Sequence, residues 1–264
     1  MTLHLTEIVI TALVGLAAGT LGGMLGIGGS IIMIPALALL FPGRGPDAQH
    51  LFQAAAMAVN VAVSLPAAIR HARAGAVRRA VLMWLLPAGL AFILLGVWLS
   101  NQLDGGTLRR IFAAFLLYLA AQEIVRVYRK SPDHNEAAAR VTPARAGTVG
   151  AVLGSAAGLL GIGGGILAVP LAQRLCRLPL RQAIAASSAT MCMTAGVGAA
   201  VKIGTLPMHH QAPADALILA AALSPTAIAG AWVGASLTHR MPIHAMRGAL
   251  AVLLLLAAWR MSGL

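Results

Sequence analysis

GMLGIGGSIIMIP, residues Gly23–Pro35, returns 135 residues later as GLLGIGGGILAVP, residues Gly158–Pro170, with eight of 13 aligned positions identical. Self-similarity at a fixed spacing marks an internal repeat and governs how every other segment is read. The match continues outward. Gln53-Ala54 and Gln182-Ala183 each open the next apolar segment, and Gly75 and Gly204 each follow those glutamines by 22 residues. Pro87 and Gly96 match Pro225 and Gly234, and Arg109 then matches Arg247. Each half reads as one glycine-rich segment followed by three apolar helices, giving about eight hydrophobic segments.

Those apolar stretches have the length of a bilayer. The runs 80–100, 111–125 and 214–237 are examples, and about 20 helical residues cross a hydrocarbon core roughly 30 Å thick. The chain is 59% hydrophobic and only 10% charged, too little charge to cover a soluble domain of 264 residues. Lipid cannot hydrogen-bond an open backbone, so spanning segments are helices or closed barrels. The short alternating segments of a barrel do not occur, and the fold class expected is an all-α polytopic membrane protein.

The net charge is +12, from 19 Lys and Arg against 7 Asp and Glu. The arginines punctuate the apolar runs and do not line one face. This argues against nucleic-acid binding and for cytoplasmic topology anchors. Cys176 and Cys192 lack a CxxC neighbour, so neither a disulfide framework nor a zinc site is implied. The start Met1-Thr2-Leu3-His4 lacks the basic character of a signal peptide and is expected to be retained.

The polar stretch 126–145, with Arg126, Arg129, Lys130, Pro132, Arg140, Pro143 and Arg145, separates the halves. The units expected are repeat one at 1–128, a cytoplasmic linker at 129–145 and repeat two at 146–264. Residues 7–41 as one helix would extend about 52 Å, too long for a single untilted crossing. The break at Gly26-Ile27-Gly28-Gly29 therefore suggests a re-entrant hairpin. Charge placement agrees. If 146–174 turns back, Arg174, Arg177, Arg181, Arg240 and Arg247 share the side of the linker and of the Arg70–Arg79 loop. Arg109 and Arg110 then fall on the far side. Three full crossings per half is an odd number, so the repeats are expected to be inverted, a plan that places a site at their interface near the midplane.

The glycine clusters are the leading candidates for chemistry. Gly26, Gly28 and Gly29 pair with Gly161, Gly163 and Gly164. Helices starting at Ser30 and Gly165 would aim free N–H groups and a positive dipole end at the breaks, which suits an anion. Close helix packing is the plainer explanation of glycine in membranes, and it is preferred for Gly89 and Gly230. Neither cluster completes GxGxxG, and no GxxxxGK[ST] occurs, so no ATPase is encoded. The following segments carry polar residues: Gln53, Asn60 and Ser64, then Gln182, Ser187, Ser188, Thr190 and Thr194. Such groups must find partners in lipid and often line pathways, with interhelical hydrogen bonding as the alternative. Arg70, His71 and Lys202 are expected to snorkel to the interface, Glu123 to pair with Arg126 or Arg129, and His209-His210 to lie in a polar loop.

The extended pattern LGGMLGIGGSIIMIP, with its echo in the second half, resembles the sulfite exporter TauE/SafE family of membrane permeases. The resemblance covers nearly the whole chain. It implies bacterial inner-membrane transport of sulfur-containing anions such as sulfite or organosulfonates. Gly26, Gly28, Gly29 and Pro35, with Gly161, Gly163, Gly164 and Pro170, match its repeated motif. Ser30 stands where the second half has Gly165, so the two breaks need not be equivalent.

The function expected is a secondary transporter or facilitator of small anions, working toward export. The substrate would sit between Gly28-Gly29-Ser30 and Gly163-Gly164-Gly165, flanked by Asn60, Ser187, Ser188 and Thr190. No cofactor, metal or catalytic residue is expected. The partners expected are a small anionic substrate and the lipid bilayer, with a homodimer left open and no nucleic acid. A non-transporting scaffold is the alternative. An intramembrane hydrolase would need a serine with a base in reach, and His71, His209, His210, His239 and His244 lie mostly near segment ends.

Overall fold

A computed structural model of the chain describes residues 4–25, 28–128, 138–237 and 243–262. The first half contains α1 (Leu5–Leu25), α2 (Ser30–Leu40), α3 (Ala48–Arg73), α4 (Arg79–Asn101) and α5 (Gly105–Tyr128). The second contains α6 (Pro143–Leu160), α7 (Gly165–Leu175), α8 (Leu180–Thr205), α9 (Pro213–Leu237) and α10 (Ile243–Ser262). Short 3₁₀ turns at Pro42–Arg44 and Leu206–His209 join α2 to α3 and α8 to α9. Gly26, the linker residues 129–137, His239 and Arg240 lie outside the described residues.

Five of these helices are long and apolar enough to cross a membrane: Leu5–Met24, Ala48–Arg73, Arg79–Asn101, Leu180–His209 and Pro213–Gly234. Their outer surfaces are apolar as well. Trp98 is 57% exposed and Trp232 64%, and Leu13, Leu217 and Leu256 also face outward. A protein in water would cover such surfaces, whereas lipid solvates them. The chain is a multi-pass helical membrane protein.

Both glycine-rich segments are broken helices that turn back. α2 begins at Ser30 and α7 at Gly165, the two positions expected from the motif. α1 lies alongside α9 in the same direction, with Gly15, Gly19 and Gly23 against Leu223, Ala227 and Ala231 in register. Arg44, just past α2, forms an ion pair at 2.7 Å with Asp215 in the first turn of α9. The far end of α2 thus returns to the end of the bundle where α1 begins. In the second half, Arg140 N–H donates to Cys176 O at 2.9 Å, which closes α6 and α7 in the same way.

The register of α1 on α9 is repeated by α6 on α4. Gly150, Gly154 and Gly158 press on Leu85, Gly89 and Ile93, and a Cβ at any of the three would collide with those backbone oxygens. Gly96, Gly230 and Gly234 answer from the other side, where a Cβ would strike Ser155 O, Leu16 O and Thr20 O. Without a hydrophobic drive between helices in lipid, such close backbone contact is what holds them together. The packing explanation preferred for Gly89 and Gly230 fits this geometry.

Each half therefore clasps the other: α1 of the first lies on α9 of the second, and α6 of the second on α4 of the first. The equivalent pairs α3/α8 and α5/α10 run antiparallel. His50 at the start of α3 meets Lys202 near the end of α8, and Arg181 at the start of α8 reaches Ala74 O beyond the end of α3. Arg109 near the start of α5 donates to Arg260 O near the end of α10 at 3.0 Å, and Arg247 near the start of α10 donates to Arg126 O at 3.0 Å. A cationic side chain on helix C-terminal carbonyls also meets the negative end of the dipole. One core cluster draws on both halves, with Leu37, Leu51 and Phe112 beside Ile162, Leu219 and Leu254.

Candidate functional site

The two breaks converge on the middle of α3. Asn60 is the thirteenth of the helix's 26 residues and is fully buried. Its amide lies between the breaks: Oδ1 is 3.2 Å from where a Cβ on Gly28 would stand, and Nδ2 is 2.6 Å from the corresponding point on Gly163. Met191, the twelfth residue of α8, reaches the same two points, with Sδ 3.2 Å from the Gly28 point and Cγ 3.3 Å from the Gly163 point. Gly28 and Gly163 both have left-handed backbone, with φ of 76° and 66°. A side chain at either would be strained; at Gly163 it would also overlap Asn60 Nδ2, and at Gly28 it would press tightly on Asn60 Oδ1.

The breaks differ in detail, as the Ser30/Gly165 mismatch suggested. Asn60 Nδ2 donates to Ser30 Oγ at 2.9 Å, a bond for which Gly165 has no counterpart. Gly29 caps α2 from right-handed backbone, whereas Gly164 caps α7 with φ of 78°. Neither helix has a side-chain cap. The backbone bonds at the two starts begin with Ile32 N–H to Gly29 O and Leu167 N–H to Gly164 O, so the first-turn amides ahead of them keep the free donors and partial positive charge of a helix start.

Two buried side-chain oxygens are without a hydrogen-bond partner among the described residues: Asn60 Oδ1, beside Gly28, and Ser187 Oγ on α8. Ser187 and Ser188 precede Met191 by about one turn of α8 and share its side of the helix. Thr190 does not. Its hydroxyl donates to Ala186 O at 2.8 Å, and its methyl lies 3.4 Å from the Cβ position of Gly89 on α4. In a membrane helix a β-hydroxyl commonly satisfies itself on the preceding turn. The structure thus brings together Gly28, Gly163, Ser30 and Asn60, places Ser187 and Ser188 one turn of α8 from Met191, and turns Thr190 toward α4.

Sequence reasoning missed Met191, which carries no polar signal although it follows Ser187 by four residues. It also missed that Gln53 packs on Gly161, where a Cβ would come within 2.7 Å of the glutamine side chain. Lys202 does not snorkel as expected. It is 1% exposed and is held by three neutral acceptors. Glu123 pairs with Arg126 on its own helix and lies 3.9 Å from Arg247 of α10. His209 stacks on His50 at 3.5 Å between ring centres.

Comparison with known proteins gives a consistent answer. The model of the sulfite exporter TauE/SafE family matches residues 11–261. A probable membrane transporter protein of Haemophilus influenzae is 26% identical over 97% of this chain and 98% of its own length. The probable membrane transporter protein MamO of Magnetospirillum gryphiswaldense is 25% identical over 92% of this chain but only 43% of its own length. A probable membrane transporter protein of Xylella fastidiosa is 33% identical over 66% of this chain and 64% of its own. The chain spans less than half of the MamO protein, and no solved structure matches. A family match running from within the first helix into the last, across both glycine-rich segments, places this chain in the sulfite exporter TauE/SafE family.

Proposed function

We propose that this protein is a secondary transporter or facilitator of small sulfur-containing anions such as sulfite or organosulfonates, working outward across the bacterial inner membrane. The observation that carries the reading is the meeting of two uncapped helix starts, at Ser30 and Gly165, around the buried amide of Asn60. Free backbone N–H groups and aligned dipoles at both starts suit an anion and replace its hydration without a fixed counter-charge. The substrate lies between Gly28-Gly29-Ser30 and Gly163-Gly164-Gly165, beside Asn60, with Ser187 and Ser188 contributing hydroxyls. The name of the matching family supports the substrate class.

The repeats, 1–128 and 146–264, are inverted relative to each other in this proposal. Antiparallel packing of the equivalent helices α3 and α8, and of α5 and α10, supports it. The hairpins α1–α2 and α6–α7 then re-enter from opposite sides and meet near the midplane. The end carrying Arg70, Arg73, Arg78 and Arg79 faces the cytoplasm together with the linker. Exporting one negative charge from an inside-negative cell gains about 2.3 kcal/mol per 100 mV.

The test is flux in proteoliposomes. Protein-dependent, saturable movement of sulfite with no chemical change supports transport. Sulfite movement equal to that of protein-free vesicles refutes it.

A further inference from the structure

The one buried lysine among the described residues belongs to no site discussed so far. Lys202, late in α8, directs Nζ at His50 Nδ1 (2.8 Å), Ser100 Oγ (2.6 Å) and Asn101 Oδ1 (3.0 Å). The hydrogen-bond geometry assigns a role to each. His50 Nε2 lies 3.2 Å from Leu103 O, and a carbonyl only accepts, so Nε2 carries the proton and Nδ1 must accept. Ser100 donates its hydroxyl to Gln53 Oε1, so its oxygen accepts from the lysine. Asn101 presents its carbonyl oxygen. Three acceptors match the three donors of an ammonium.

That ammonium has no carboxylate within ion-pair distance among the described residues. A buried cation surrounded by neutral groups alone keeps most of its desolvation cost, and inside a membrane such a group marks a pathway more often than a scaffold. Two further observations point to a missing ligand rather than a finished knot. His209, stacked on the lysine-bound His50, has a buried Nε2 with no hydrogen-bond partner among the described residues. Gln49, one turn before Gln53 on α3, has both amide atoms buried and without a hydrogen bond among the described residues. The chain of contacts also reaches the first site: Gln53 joins Ser100 to Leu159 O and packs on Gly161 at the second break.

We propose that Lys202 is a second oxyanion station, lying between the Gly161–Gly164 break and the end of the bundle that carries His209. This rests on the reading of the protein as an anion transporter and adds to it a fixed positive charge outside the central site. The arriving anion displaces Asn101 Oδ1, the longest of the three contacts and from a half-exposed residue. A charged acceptor binds an ammonium more strongly than an amide does. His209 Nε2 then meets the same anion.

The experiment uses the full-length protein in proteoliposomes with sulfite as the probe, and measures KM and maximal flux separately. Lys202→Met should raise KM tenfold or more, Lys202→Arg should restore it to within about threefold, and His209→Phe, which keeps the ring stack, should raise it several-fold. Should Lys202→Met fail to fold, the His209→Phe result decides. A KM within twofold of wild type in Lys202→Met, or in His209→Phe where the first variant is lost, overturns the station. Asn60→Leu, impaired in the same assay, would show that the central reading survives that outcome. Absence of sulfite flux in the wild type overturns both.

Discussion

Asn60 donates its side-chain N–H to Ser30 Oγ at 2.9 Å, tying the middle of α3 to the first residue of α2. The other amide atom, Oδ1, stays buried beside Gly28 without a partner among the described residues. An amide in this position does two things: it holds one helix start in place and leaves a polar group facing the meeting of both breaks. Asn60→Leu should therefore lower anion affinity more than Ser188→Ala, whose loss of one hydroxyl should cost about 0.5–3 kcal/mol if that hydroxyl bonds a charged ligand. Asn60→Asp should be worse than Asn60→Leu, because a carboxylate opposes the anion directly. Isothermal titration of the detergent-solubilised variants with sulfite would rank the three. Equal affinity in Asn60→Asp and wild type would remove Asn60 from the site.

The left-handed glycines give a second expectation. Gly28→Leu and Gly163→Leu should each abolish flux while leaving protein that inserts and remains monodisperse. Left-handed backbone at a residue with a Cβ costs about 1–2 kcal/mol, and at Gly163 the added carbon also lies 2.6 Å from Asn60 Nδ2. Normal sulfite flux in both variants would return these residues to a purely structural role.

Stability should separate the packing glycines from the rest. Gly19→Leu and Gly154→Leu place side chains against Ala227 O and Gly89 O, so both should lower the melting temperature strongly or prevent folding. Gly147→Leu meets open space and should be tolerated. A thermal melt in detergent that found all three alike would mean that the α1/α9 and α4/α6 contacts do not hold the bundle.

Much of this architecture was legible in the sequence, because the repeat displays it twice. Helix starts at Ser30 and Gly165 followed from the glycine clusters, which local backbone chemistry controls. The same 135-residue offset relates Gly15, Gly19 and Gly23 to Gly150, Gly154 and Gly158. The second contact face was thus also written in the chain, although only Gly23 and Gly158 fell inside the quoted motif. The Arg109/Arg247 match was visible, but its reason was not: each arginine caps the end of the antiparallel helix that carries the other. The Lys202 network was hidden for a different reason. His50, Ser100 and Asn101 lie 152, 102 and 101 residues away from it, and no local pattern announces that three segments will close around one ammonium. Thr190 reads as polar in the sequence, and what the sequence did not display is that its hydroxyl donates to its own helix at Ala186 O.

Topology is open to direct measurement. Single cysteines placed in the 70–79 loop should be labelled from the cytoplasmic side, and one near the C-terminus from the outside. The arginines beside Ala74 and Cys176 gather at one end of the bundle, and inside-positive loops are retained in the cytoplasm. Cytoplasmic labelling near the C-terminus would contradict the inverted arrangement.

The most direct test of the central claim is competition for sulfite flux in proteoliposomes holding the wild-type protein. Two helix starts and neutral donors around Asn60 should favour compact negative charge, whatever the detailed shape of the oxyanion. Small tetrahedral or pyramidal oxyanions should therefore inhibit sulfite movement, and cations of similar size should have no effect. Inhibition by small cations, with none by oxyanions, would contradict it.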